Sequence, residues 1–196
     1  GNKGALCSHR QSRGGRMRYA SLRRMDISNG EGIRVSLFVS GCALHCPGCF
    51  NPDAWDYQYG EPYTEKTEKE ILDLIVRNPH VEGLSILGGD PLLQEPDDMR
   101  TLKRLVDKVH NAGKTVWIWS GLTWGLTMKM NPNDDRYTTA RQDLIKSCDV
   151  FVDGPFIEEK KDLRLKWRGS SNQRVIDVKK SLEAGQIVLY KEKNTI

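Results

Sequence analysis

Three cysteines within eight residues, Cys42, Cys46 and Cys49, are the part of this sequence best suited to chemistry. Their C-x3-C-x2-C spacing sets three thiolates around one centre from a short loop, and thiolates select zinc, Cu(I) or iron–sulfur. A structural zinc asks for four protein ligands, and His45 lies in the loop as a possible fourth. A four-iron cluster held by three cysteines leaves one iron open to a substrate or cofactor, whereas a fully ligated cluster only passes electrons. Spacing alone leaves both readings standing. The loop's place favours the cluster, because it caps a buried strand and is not a small self-contained knuckle. Of the other cysteines, Cys7 lies near the N-terminus and Cys148 reads as a small buried residue. An odd count of five, without an apolar signal segment, argues against a secreted disulfide framework.

A second candidate is Gly88-Gly89-Asp90-Pro91, directly after an apolar run. Two glycines let the backbone approach a ligand closely and leave peptide groups free to bind it. Alone such a turn is a weak signal; opposite a three-cysteine loop it gains weight.

Alternating elements bring the two together. Ile33 to Ser40, Val81 to Leu87, Lys114 to Ser120 and Asp149 to Asp153 read as buried strands. Between them, Thr67 to Glu70 has a capping-box pattern ahead of Ile71, Leu74 and Ile75 at helical spacing. Met99, Leu102, Val106 and Val109 mark a second helix that Gly113 stops, and a shorter helix is expected over about 137–147. Strand alternating with helix implies right-handed βαβ units and a parallel sheet. Active sites of such sheets gather at the C-terminal ends of the strands, which here carry SGCALHCPGC, GGDP, SGL and DGPF. The tail from 156 is charged, and IVLY at 187–190 is a candidate further strand.

The chain has 196 residues, a one-domain length, and no run of 18 apolar residues to span a membrane. Residues 1–16 are basic, polar and without an aromatic, and read as a disordered leader or cloning remnant ahead of Met17, not as a nucleic-acid-binding arm. From Met17 onward 26 basic groups balance 26 acids, so charge gives no case for a polyanionic partner. Residues 17–196 are expected to form a single domain with a C-terminal tail, in the cytoplasm.

These motifs resemble the radical S-adenosylmethionine superfamily, which uses C-x3-C-x2-C and a downstream Gly-Gly-Glu/Asp-Pro turn. Cys46-Pro47-Gly48-Cys49-Phe50-Asn51, with Gly before the last cysteine and an aromatic after it, is similar to the activating proteins of the anaerobic ribonucleoside-triphosphate reductases. So are Asp26-Ile27-Ser28-Asn29-Gly30 with Gly32 and Arg34, Val39-Ser40-Gly41-Cys42, Val152-Asp153-Gly154-Pro155-Phe156, and Trp167 to Gln173. The resemblance runs from Met17 to about Arg174. It implies an incomplete β/α barrel within the α/β class, too short for a closed eight-fold one. It implies a [4Fe-4S] cluster on Cys42, Cys46 and Cys49, with S-adenosylmethionine on the open iron. Gly88, Gly89 and Asp90 would lie along the methionyl moiety, and Gly48, Cys49 and Phe50 would contact the cofactor. The implied activity is reductive cleavage of S-adenosylmethionine to place a glycyl radical on the large subunit of the reductase. The implied electron donor is a low-potential, flavodoxin-like protein. Two rival readings are an activase of another glycyl-radical enzyme, such as pyruvate formate-lyase, and a non-enzymatic metal-binding module. The motif assigns no role to Asp153 or to Trp167–Gln173.

Overall fold

Four of the apolar runs form the parallel centre of a seven-stranded sheet. The computed structural model describes residues 17–133 and 135–193. The reading of residues 1–16, and Cys7 with it, lies outside the described residues. The parallel strands are β2 (Ile33–Val39), β4 (Val81–Gly88), β5 (Thr115–Ser120) and β6 (Val150–Asp153). The α/β class read from the sequence holds. The edges are antiparallel, which the strand–helix alternation does not reveal. On one side β1 (Arg18–Asp26) pairs with β2, and β3 (Glu61–Pro62) with β1; on the other, β7 (Arg174–Asp177) pairs with β6. The order β3-β1-β2-β4-β5-β6-β7 leaves β3 and β7 at opposite edges, so the sheet is open.

Each crossover is helical: α1 (Glu65–Arg77), α2 (Pro96–Asn111), then α3 (Trp124–Met128) with α4 (Arg136–Ser147). The short α5 (Val178–Ala184) follows β7. Helix α1 begins earlier than the Thr67–Glu70 pattern predicts. Thr64 is its N-cap, and Thr67 returns the second bond of the box. The predicted apolar stripe is present: Ile71 and Ile75 are buried, as are Met99, Leu102, Val106 and Val109 of α2. Gly113 ends α2 with φ +75°, a conformation cheap only without a Cβ. Residues 187–190 do not form a strand; one isolated bridge, Ile176 to Leu189, lays them beside β7.

Strand side chains alternate between two faces. Val35, Leu37 and Val39 join Leu84, Ile86, Val116, Ile118 and Phe151 in the main core under the helices. On the opposite face Trp117, Val150 and Val152 form a smaller cluster, against which Trp119, Trp167, Val175 and Tyr190 pack. Arg34 is also buried. Its guanidinium donates to Ser85 Oγ (2.9 Å) and to the carbonyls of Leu84 (2.9 Å) and Thr115 (3.0 Å), which tie β2, β4 and β5 together. Cys148 is fully buried beneath α4, as expected.

Candidate active site

A cleft of about 570 Å³ opens at the C-terminal ends of the four parallel strands. Cys42, Cys46, Cys49 and Phe50 line it from the first loop, Gly88, Gly89 and Asp90 from the second, Ser120 and Gly121 from the third, and Gly154 and Phe156 from the fourth. The co-location read from the sequence is therefore present. Gly48 is not among the lining residues. It has φ +71°, a backbone that favours glycine, and a Cβ there would come within 2.8 Å of the Glu158 carboxylate.

Backbone pairing across the first two loops sets the cysteine loop in place. Gly89 N–H donates to Val39 O (2.7 Å), Asp90 N–H to Gly41 O (2.8 Å), Gly41 N–H to Ala54 O (2.8 Å) and Cys42 N–H to Trp55 O (3.1 Å). This close approach is why glycine occupies 88 and 89. A Cβ at 88 would lie 2.6 Å from Val39 O, and one at 89 would lie 2.5 Å from Gly41 O. Gln94, which no motif singles out, completes the joint by donating to the carbonyls of Ser40 (3.1 Å), Gly41 (3.2 Å) and Asp90 (3.0 Å). A buried glutamine shortly after a Gly-Gly turn was the available clue.

Asp90 is buried and fully engaged by protein donors. Ser120 Oγ lies 2.8 and 3.0 Å from its two oxygens, and the N–H groups of Gly121 (2.8 Å) and Leu92 (2.9 Å) donate to it. Burial pushes its carboxyl up to about 6, against the pull of those donors. Its observed work is to clamp β4 to β5.

Burial, with the nearby Asp90 carboxylate, pushes the Cys42 thiol up to about 12, partly offset by the N–H groups of Leu44 and His45. Burial also raises the Cys46 thiol, while the Phe156 N–H acts in the opposite direction. Both are therefore thiols at neutral pH, and binding a metal centre would release their protons. His45 stacks on Trp55 with ring centroids 4.6 Å apart, the arrangement of a loop side chain. Among the described residues no three His, Cys, Asp or Glu side chains converge as ligands of a single ion. A four-iron cluster asks instead for thiolates at separate corners, and three soft donors around an open cleft fit that group.

Residues to which no motif assigns a role also line the cleft. Trp119 and Trp167 both line it, and Trp119 Nε1–H donates to Trp167 O (2.7 Å). Trp167 has φ +64°, a conformation unfavourable for an aromatic residue. Ser28 and Asn29 of the Asp-Ile-Ser-Asn-Gly stretch also reach the cleft.

The family described as a 4Fe-4S single cluster domain matches residues 28–176, and so takes in every loop of this cleft. The anaerobic ribonucleoside-triphosphate reductase-activating protein of Salmonella typhi is 39% identical over 162 residues, covering 81% of this chain and 97% of its own length. The chain belongs to this family of activating proteins. The protein of that name from Escherichia coli (strain K12) is 37% identical over the same shares, and that of Enterobacteria phage T4 is 32% identical over 81% of this chain and 93% of its own. Among the described residues no helix is long and apolar enough to cross a membrane.

Proposed function

We propose that the chain is a radical S-adenosylmethionine activase, which places a glycyl radical on the anaerobic ribonucleoside-triphosphate reductase. The observation that carries this is the gathering of Cys42, Cys46 and Cys49 on one open cleft with the strand-end loops, in a chain of this family. Cys42, Cys46 and Cys49 would hold a [4Fe-4S] cluster, leaving one iron for the amino and carboxylate groups of S-adenosylmethionine. When bound, these groups supply one-electron cleavage of a sulfonium, the source of the radical that removes a hydrogen atom from a glycine of the reductase.

The chain's own residues orient and enclose. Asp90, held by Ser120 and Gly121, fixes the relative position of β4 and β5, so the Gly88–Gly89 backbone presents a constant edge to the cleft. Gly48, Cys49, Phe50, Gly88, Gly89 and Asp90 are the residues proposed to lie along the cofactor. The open mouth suits a protein substrate, whose glycine must enter from outside. A low-potential, flavodoxin-like protein is the proposed electron donor.

Anaerobic reconstitution tests the reading. The expected result is a brown protein with about four irons per chain that forms 5′-deoxyadenosine when given dithionite and S-adenosylmethionine. With a reductase carrying deuterated glycine, deuterium is expected in the 5′-deoxyadenosine. A colourless protein holding one zinc and forming no product overturns the proposal. Turnover with deuterium drawn only from a different glycyl-radical enzyme overturns the choice of target.

A further inference from the structure

Trp167–Gln173 lies far from the cysteines in sequence, yet it grips the half of their loop that β2 does not. The Cys42 end is anchored by backbone bonds to Ala54 and Trp55. The Cys46–Phe50 end has only short-range bonds of its own, Cys49 N–H to Cys46 O (3.1 Å) and Asn51 N–H to Cys49 Sγ (3.5 Å). Its outside contacts include Phe156, whose ring lies 5.0 Å from that of Phe50, the residue after Cys49, and Lys161 Nζ, 5.3 Å from the Phe50 ring centroid.

Phe156 is in turn held by the later segment. Gln173 Oε1 accepts from the N–H groups of Gly169 (2.9 Å) and Ser170 (3.1 Å), while its Nε2 donates to Gly154 O (3.0 Å). Asn172 Nδ2 donates to Pro155 O (2.8 Å), and Ile157 N–H donates to the buried Ser170 Oγ (3.2 Å). Gly169 faces both rings: a Cβ there would lie 2.8 Å from Phe50 and 3.1 Å from Phe156.

We propose that Gly169 and Gln173 are positioning residues for the proposed cluster, acting through Phe156 and Phe50 on the Cys46–Cys49 end of the loop. Gln173 ties the 169–170 backbone to the Gly154 turn, and Gly169 leaves the space in which the two rings close. Partners one step removed from metal ligands fix ligand orientation and centre electronics. The inference rests on the reading of the three cysteines as cluster ligands.

The test compares reconstituted full-length wild type with Gly169→Ala, Gln173→Glu and the double variant Gly169→Ala/Phe50→Leu. Gln173→Glu keeps the acceptor for Gly169 and Ser170 but loses the donor to Gly154. The readouts are the EPR spectrum of the reduced cluster, the rate of iron loss to a chelator, and the melting temperature. Both single variants are expected to shift the EPR spectrum and to lose iron about tenfold faster. Phe50→Leu, with a shorter side chain, is expected to restore the rate in the Gly169→Ala background. Unchanged spectra and iron loss overturn the proposal, as does a lower melting temperature with an unchanged cluster. If Gly169→Ala does not fold, Gln173→Glu alone decides. A wild type that assembles no cluster overturns the functional reading along with this one. A wild type that does, with variants indistinguishable from it, overturns this one only.

Discussion

Arg174 and Asp153 face each other across β7 and β6, with Arg174 Nε 3.0 Å from Asp153 Oδ1 and Nη2 2.5 Å from Oδ2. The carboxylate is buried and also accepts the Trp124 N–H (2.8 Å), so one side chain joins the sheet edge to the start of α3. Losing one partner of a buried pair strands the other. Asp153→Ala is expected to cost about 3 kcal/mol in urea denaturation. Arg174→Ala is expected to cost at least as much, because it leaves the buried Asp153 carboxylate without its cation. Equal and negligible losses would show that the pair does not hold this edge.

Gly88→Ala and Gly89→Ala are expected to destabilise the cluster-free protein by more than about 2 kcal/mol each, because the added Cβ meets backbone carbonyl oxygens that cannot rotate away. Chemical denaturation measures this without any cofactor. Intolerance at these positions reports a backbone joint as well as a ligand site. It therefore does not by itself separate an enzyme from a metal-binding module.

Asp149 gives the pH dependence its sign. Burial pushes its carboxyl up, but the Val116 N–H, His110 and Lys179 outweigh burial and leave it below the usual carboxylate value. A lowered carboxyl stabilises the fold fully above the unfolded-state value of about 4, and that contribution fades as pH falls through the lower folded-state value. Melting temperatures taken between pH 5 and pH 2 are expected to fall less steeply in Asp149→Asn than in wild type. The variant is expected to be the less stable of the two at neutral pH. An unchanged acid limb would remove Asp149 from the account.

Cys42→Ser, Cys46→Ser and Cys49→Ser are each expected to lower reconstituted iron severely, and Cys148→Ser to leave it unchanged. Iron analysis and the absorption spectrum check both halves. Retention of iron in a loop variant, or its loss in Cys148→Ser, would point to a different ligand set.

The parallel strands were legible because each is an apolar, β-branched run, buried on both faces. β1, whose Arg-Tyr-Ala-Ser-Leu-Arg-Arg-Met-Asp sequence has only Asp26 buried and lies beside the two-residue edge strand β3, carries no such signal, and β7 is only four residues long. The start of α1 differs from its sequence pattern because Thr64 and Thr67 cap as well as Thr67 and Glu70 do, and three residues of spacing do not choose between them. At the site, residue types located the cysteines and the Gly-Gly turn. They did not show that Asp90 also bonds Ser120 and Gly121, or that Gly48 faces Glu158. Those facts depend on which loops meet, and pairings between distant loops leave no local pattern. Trp167 belongs to a motif visible in the sequence, but its left-handed backbone and the bond that its carbonyl accepts from Trp119 are not.

The grip of Gln173 on the Gly154 turn has a temporal side. Cys49 leaves the ribosome well before Gly169 and Gln173, which follow it by 120 and 124 residues. At roughly 5–20 residues per second the interval is on the order of ten seconds. Throughout it the nascent loop holds its three thiols without the far wall of the cleft. Cofactor loaded during synthesis would meet a half-built receptacle, and the finished one exists only once Gln173 has followed the cysteines out.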